Sequence, residues 1–153
     1  MRDGYIFGLM LRTRSNIIQK VEKLPEEKRN VIPEGFNNSI HWQIGHLLTV
    51  TNLIAFQFAG KESVIPESYK TFFGNGTKPS DWTEEPPAWD ALIEELTQQC
   101  KLIEDTFSGK LQEPLTMKEN FAKAETVDEA LFVNINHENS HLGMISAMLK
   151  VLG

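Results

Sequence analysis

Apolar side chains recur every three or four residues in four stretches of this chain, and this spacing constrains its fold more than any other feature. The stretches cover residues 6–24, about 39–60, about 87–107 and about 126–151. Such spacing lines one face of an α-helix, whereas a strand requires alternation, and no convincing alternating run is present. The 153-residue sequence therefore predicts an all-α, up-down-up-down four-helix bundle built as a single domain over residues 1–153.

Residues that begin or end helices separate these stretches. Pro25 follows the first stretch, and the polar residues 37–39 are suited to cap the second. The second stretch is apolar on nearly all sides, which predicts a central, buried helix. The connection 61–87 combines prolines and glycines with aromatic residues, so we expect it to pack over the bundle or to serve the function. Thr126 and Glu129 are spaced as a capping box for the last helix.

The charge and the single cysteine limit the classes of partner. A net charge of −6 argues against binding nucleic acid or an anionic membrane surface, because both require a basic face. The N-terminal residues lack the apolar segment and cleavage site of a secretory signal. Cys100 has no second cysteine to pair with, which is typical of a reducing compartment, and we interpret it as a packing residue. These features predict a cytoplasmic protein.

Four histidines supply the strongest indication of chemistry. His137, Glu138 and His141 fit the pattern H-E-x-x-H, in which two histidines about 40° apart on a helix can chelate one metal ion. His46 lies among apolar residues of the second predicted helix and is the candidate third ligand, since the second and fourth helices of a bundle can face each other. His41 lies about 140° round the same helix from His46, and we expect it to be structural.

Spacing alone leaves two interpretations of these histidines open. Either they hold a metal, or each fills an isolated position in the core or at its edge. A zinc peptidase is disfavoured, because such enzymes need a further ligand and residues 142–153 contain no His, Asp or Glu. Glu138 is therefore expected to support the site or to lie at the surface and not to act as the general base. Asn134 and Glu138 are the candidates for hydrogen bonds to metal-bound histidines.

Three motifs, in this order, resemble those of one known family. Residues 37–47 are similar to a tryptophan-x-x-x-histidine-leucine signature, residues 66–82 to a connection found in one branch, and residues 137–143 to a histidine pair followed by a glycine. On these motifs the chain resembles the DinB superfamily, the DinB-like or YfiT-like four-helix bundles. The sequence departs from many relatives at Leu142 and Met144, where they carry a basic residue and a glutamine.

The resemblance implies a metal site and a group of reactions. It implies that His46, His137 and His141 hold one divalent transition metal, with zinc and nickel suited to imidazole ligands. Relatives with assigned chemistry include transferases that join small thiols to electrophiles, and an isomerase. The expected function is a metal-dependent thiol transferase acting on a small-molecule thiol and an electrophile. The alternatives are a metal-dependent hydrolase, a non-catalytic stress protein that binds metal or a small ligand, and a helical dimer without metal. The family also implies a homodimer.

Overall fold

The computed structural model describes residues 1–153, which form a helical protein without a β-sheet. The helices are listed here in chain order: α1 (Asp3–Val21), α2 (Glu26–Arg29), α3 (Ile40–Thr51) continued by a π-helical turn (Asn52–Gln57), α4 (Tyr69–Phe73), a 3-10 turn (Pro79–Asp81), α5 (Trp89–Phe107) and α6 (Val127–Leu152). None of these helices combines the length and hydropathy required to cross a membrane.

The four long helices form the predicted bundle. Helices α1 and α3 each pack against both α5 and α6, so α1 and α3 occupy opposite corners. Every residue of α3 except Val50 is buried, which confirms the prediction of a central helix. Ser39 caps this helix by accepting a hydrogen bond from the backbone N–H of Trp42, in agreement with the caps predicted at residues 37–39.

The helix directions differ from the predicted alternation. One apolar cluster joins the first turns of α1 and α6 to the π-helical turn and the last turns of α5, and a second cluster joins the opposite ends. Helices α1 and α6 therefore run one way and α3 and α5 the other, which is an up-down-down-up order. The long connection after the π-helical turn is the physical reason. This connection carries the chain back over about 28 Å, the length of a 19-residue helix. As a result α5 begins at the same end of the bundle as α3.

Two shorter segments differ from the structure that the sequence predicted. The connection predicted as irregular contains α4, which packs against α3. A Cβ atom at Gly45 of α3 would overlap the ring of Phe73 in α4, so only glycine permits this close approach. The expected capping box at α6 forms differently, because Glu129 accepts from the backbone N–H of Glu125 while the Thr126 hydroxyl donates to Asp128.

A layer of buried polar side chains separates the two apolar clusters. Each long helix contributes at least one member, so the layer crosses the whole bundle. Its members are Thr13 and Arg14 of α1, Thr51 of α3, Gln99 of α5, and Asn134 and Glu138 of α6.

Candidate metal centre

Three of the four histidines come together between α3 and α6. One ring nitrogen from each of His46, His137 and His141 lies within 4.8 Å of the other two. Nitrogens bound to one zinc ion at about 2.0–2.1 Å in tetrahedral geometry lie about 3.4 Å apart, so the three rings must close by at most about 1.4 Å to share an ion. Apart from these three, no group of histidine, cysteine or carboxylate side chains clusters in this way.

His46 is held with one defined nitrogen free. Its Nδ1 lies 2.7 Å from the carbonyl oxygen of Phe73, an arrangement in which Nδ1–H donates and Nε2 keeps its lone pair. The imidazole also stacks on Trp42, with ring centroids 4.4 Å apart and an angle of 13° between the planes. The Phe73 carbonyl of α4 therefore fixes the tautomer of His46, and together with Trp42 of α3 it fixes the orientation of the ring.

His141 is oriented by Gln43, a residue that the sequence reading missed. The Nδ1 of His141 lies 2.6 Å from Gln43 Oε1, so Nδ1–H donates and Nε2 is again free. The amide nitrogen of Gln43 in turn donates to Asn38 Oδ1 at 2.9 Å and to the sulfur of Met144 at 3.1 Å. The sequence feature that could have identified Gln43 was its position, three residues before His46 on the most apolar helix of the chain.

All three rings are in a state suited to metal binding. Burial lowers the pKa of His46, lowers that of His137 to about 4 with a contribution from His46, and lowers that of His141 to about 3 with contributions from the other two. The imidazoles are therefore neutral at pH 7 and offer lone pairs without first losing protons. In addition, the buried Nδ1 of His137 has no hydrogen-bond partner. These neutral, converging donors fit a divalent transition metal.

The two expected helpers, Asn134 and Glu138, do not contact the histidines through hydrogen bonds. Asn134 accepts from the Thr51 hydroxyl at 3.0 Å and donates to Glu138 at 3.1 Å. Glu138 is fully buried and forms an ion pair with Arg14. The expectation that Asn134 would bond to a neighbouring histidine is therefore not met, because the polar layer occupies both side chains.

His41 lies outside the cluster. Its Nε2 lies 2.8 Å from the carbonyl oxygen of Pro87, and its ring is surrounded by the rings of Phe73, Trp82 and Trp89. It joins the start of α3 to the end of the long connection that leads into α5. This is the position anticipated for a structural histidine.

A cavity of about 470 Å³ adjoins the histidines. His46 and His137 line it together with Thr49, Val50, Leu53, Lys70, Gly74, Asn75 and Phe121. None of these side chains is a carboxylate. The only charged one, Lys70, is paired with Glu67 at 2.8 Å, and the Phe121 ring is 68% exposed at the edge of the cavity.

The comparison with known families agrees with this geometry. A family model described as the DinB superfamily matches residues 9–145, a span that contains all three clustered histidines and most of each long helix. No curated protein matches the sequence. The family model covers far more than half of the chain, and the protein belongs to the DinB superfamily.

Proposed function

We propose that this protein is a metal-dependent enzyme in which His46, His137 and His141 hold one divalent transition ion, zinc or nickel. Three neutral imidazoles converge within 4.8 Å, and two of them have their outer nitrogens fixed by Phe73 and Gln43. Three protein ligands leave at least one coordination position for a substrate, which is typical of catalytic sites and not of closed structural ones.

The proposed reaction is the transfer of a low-molecular-weight thiol to an electrophile. The observation that carries this choice is the cavity, which reaches two of the histidines and contains no carboxylate to act as a general base. A bound divalent metal supplies Lewis acidity, which makes a coordinated thiol lose its proton without a neighbouring base. Glu138, the base of a peptidase with this motif, is fully buried and paired with Arg14 instead.

The cavity lining suits an apolar electrophile. Val50, Leu53 and Phe121 form an apolar wall, and Asn75 and Thr49 offer hydrogen bonds to a polar group. With the electrophile against this wall, the sulfur–carbon bond forms as the carbon–leaving-group bond breaks. The leaving group keeps the electron pair, and the thiol proton passes to solvent. Small thiols are kept reduced in the cytoplasm, where we expect the protein to act.

The test is conjugation of a small thiol to a reactive aryl halide by protein loaded with zinc or nickel. We expect conjugate to form faster than with thiol alone, and to fall to that background after chelation or in His46→Ala. His41→Ala is the matched control, because it removes an equally buried histidine of the same helix. Ester hydrolysis without conjugate would show a hydrolase instead, and bound metal with neither reaction would show a binding protein.

Pairing of two chains is a further part of the proposal. Several large apolar side chains remain exposed on the outer helical surfaces, among them Leu11, Leu102, Phe132 and Val151. Covering such residues by a second copy is a common arrangement in soluble bundles. Light scattering at tens of micromolar is the check, at a concentration above a micromolar dissociation constant. A monomer mass there would contradict the homodimer.

A further inference from the structure

Apart from Thr13, the members of the buried polar layer are joined by hydrogen bonds that reach both helices that carry the histidines. Arg14 donates to Glu138 from Nε at 3.2 Å and from an Nη at 2.5 Å, and to the Leu96 carbonyl at 2.8 Å. The same guanidinium reaches Gln99 Oε1 at 3.1 Å. Arg14 and Glu138 are 1% and 0% exposed, so neither charge is solvated and each depends on the other.

Thr51 forms the direct link between the two helices. Its hydroxyl lies 3.0 Å from Asn134 Oδ1 and 3.1 Å from Glu138 Oε1, within donating distance of both, and it accepts from Arg14 at 3.3 Å. Thr51 follows His46 by five residues on α3, and Glu138 lies next to His137 on α6. The link is thus about 1.4 helical turns from His46 and less than one turn from His137 and His141.

Apolar packing alone does not define the relative position of these helices closely enough for a metal site. Hydrophobic contact is non-directional, and cores tolerate small shifts without losing stability. A ligand set requires positions accurate to about 0.5 Å, whereas one residue of slippage moves a helix by about 1.5 Å. Buried hydrogen bonds to a fixed set of partners permit one register only, which is the best attested use of buried polar groups.

We infer that the Arg14–Glu138–Thr51 layer is the positioning device of the histidine site, setting the register of α6 against α3 so that His137 and His141 face His46. The inference rests on the proposed metal site. The layer acts through geometry and contributes no ligand. Removing it therefore disturbs metal binding even where the bundle remains stable.

The first test replaces the pair by apolar residues of similar size, Arg14→Met with Glu138→Leu. Buried ion pairs often yield to such replacement without loss of stability, so the double variant separates folding from site geometry. We expect a folded protein whose melting temperature falls by several degrees, because Gln99 Oε1 and Asn134 Nδ2 each lose a buried partner. Its zinc affinity should fall ~10-fold or more, with a changed absorption spectrum of bound Co²⁺. A folded double variant with natural zinc affinity and an unchanged Co²⁺ spectrum would overturn the inference.

The second test does not depend on the double variant folding. Thr51→Val removes only the hydroxyl that joins α3 to α6 and keeps the shape of the side chain. Thr13→Val is the matched control, since Thr13 is a buried threonine of the same layer that does not connect the ligand helices. We expect Thr51→Val to weaken zinc binding several-fold more than Thr13→Val and to shift the Co²⁺ spectrum. Equal affinities and spectra for the two variants would contradict the positioning role.

These measurements also separate this inference from the proposal on which it rests. If the natural protein binds no zinc or Co²⁺, the proposed metal site is wrong and the layer has no site to position. If the natural protein binds metal and both altered proteins bind it equally well, the metal site stands and the positioning role is wrong.

Discussion

Two polar clusters lie next to each other between α3 and α6, and they differ in how completely their hydrogen bonds are satisfied. Arg14 and Glu138 are buried with partners on all four long helices. The three histidines are also largely buried, yet His137 Nδ1 has no partner and a cavity adjoins His46 and His137. We call the Arg14–Glu138 cluster closed, because its charged groups are paired, and the histidine cluster open, because it has an unpaired nitrogen and an adjoining cavity.

This difference separates a structural role from a binding role within the same pair of helices. A buried polar group without a partner is unfavourable, so one that lies beside other converging donors marks a place that a ligand can complete. The buried Nδ1 of His41 also has no partner, but no other metal-ligating side chains converge on it. A fully paired group has nothing left to offer a ligand. The glutamate of the H-E-x-x-H pattern belongs to the closed cluster and its two histidines to the open one. Glu138 is thus paired with Arg14, whereas a peptidase with this pattern uses the glutamate as its base.

The largest expected effect comes from breaking the closed cluster on one side. Arg14→Met leaves the Glu138 carboxylate buried without its counter-charge, and we expect a loss of about 3–5 kcal/mol in the free energy of unfolding. His137→Leu in metal-free protein removes an unpartnered polar group, and we expect a change within about 1 kcal/mol. Urea unfolding of both variants with chelator present measures the contrast. Similar losses in the two would contradict the division into closed and open clusters.

A smaller effect is expected from two glycine substitutions near the histidines. Gly45→Ala forces the Phe73 ring away from α3 and disturbs the carbonyl that holds His46, so we expect a loss of about 1–3 kcal/mol and zinc binding weakened ~10-fold. Gly143→Ala meets open space on α6, and alanine favours a helix by up to about 1 kcal/mol. Thermal unfolding and zinc titration of both variants test this pair. A Gly45→Ala protein that binds zinc as tightly as Gly143→Ala would show that α4 does not hold His46 in place.

The last of these contrasts concerns pH and sharpens the account of the open cluster. Folded-state pKa values of about 4 for His137 and about 3 for His141 lie below the ordinary value of 6.5, so protons favour the unfolded chain. The metal-free protein therefore keeps this contribution to stability above pH 6.5 and loses it as the pH falls from 6.5 toward 4 for His137 and toward 3 for His141. We expect the double variant His137→Leu with His141→Leu to lose less stability between pH 7 and pH 5, measured by urea midpoints in chelator. If the natural protein and the double variant lost equal stability between pH 7 and pH 5, the histidine rings would not be buried and neutral.

The sequence predicted local features of this protein well and long-range directions poorly. Helical spacing and the Ser39 cap act over a few residues, and both were read correctly. The order of helix directions depends on where the connection 61–87 leads. This connection is long enough for α5 to begin at either end of the bundle. Gln43 is an example of the same limit, because its value to His141 arises only when α3 and α6 meet.

The sequence contains a pattern that indicates the closed cluster. Arg14 falls on the same helical face as Met10, Ile17 and Val21, and all of these are buried. Glu138 falls likewise on the face of α6 that carries Leu131 and Ile145. Two opposite charges, each within an apolar stripe, indicate a buried ion pair. What the sequence could not supply was the pairing itself, since the two residues are 124 positions apart.

The central claim is that His46, His137 and His141 hold one metal ion, and elemental analysis combined with zinc titration tests it most directly. We predict about one divalent transition metal per chain in the natural protein and in His41→Ala. His46→Ala, which removes a histidine of equal burial from the same helix, should lose affinity by more than ~100-fold, beyond the effect of altering a supporting residue. Equal metal loss from His41→Ala and His46→Ala, or a natural protein that takes up no metal, would contradict the account.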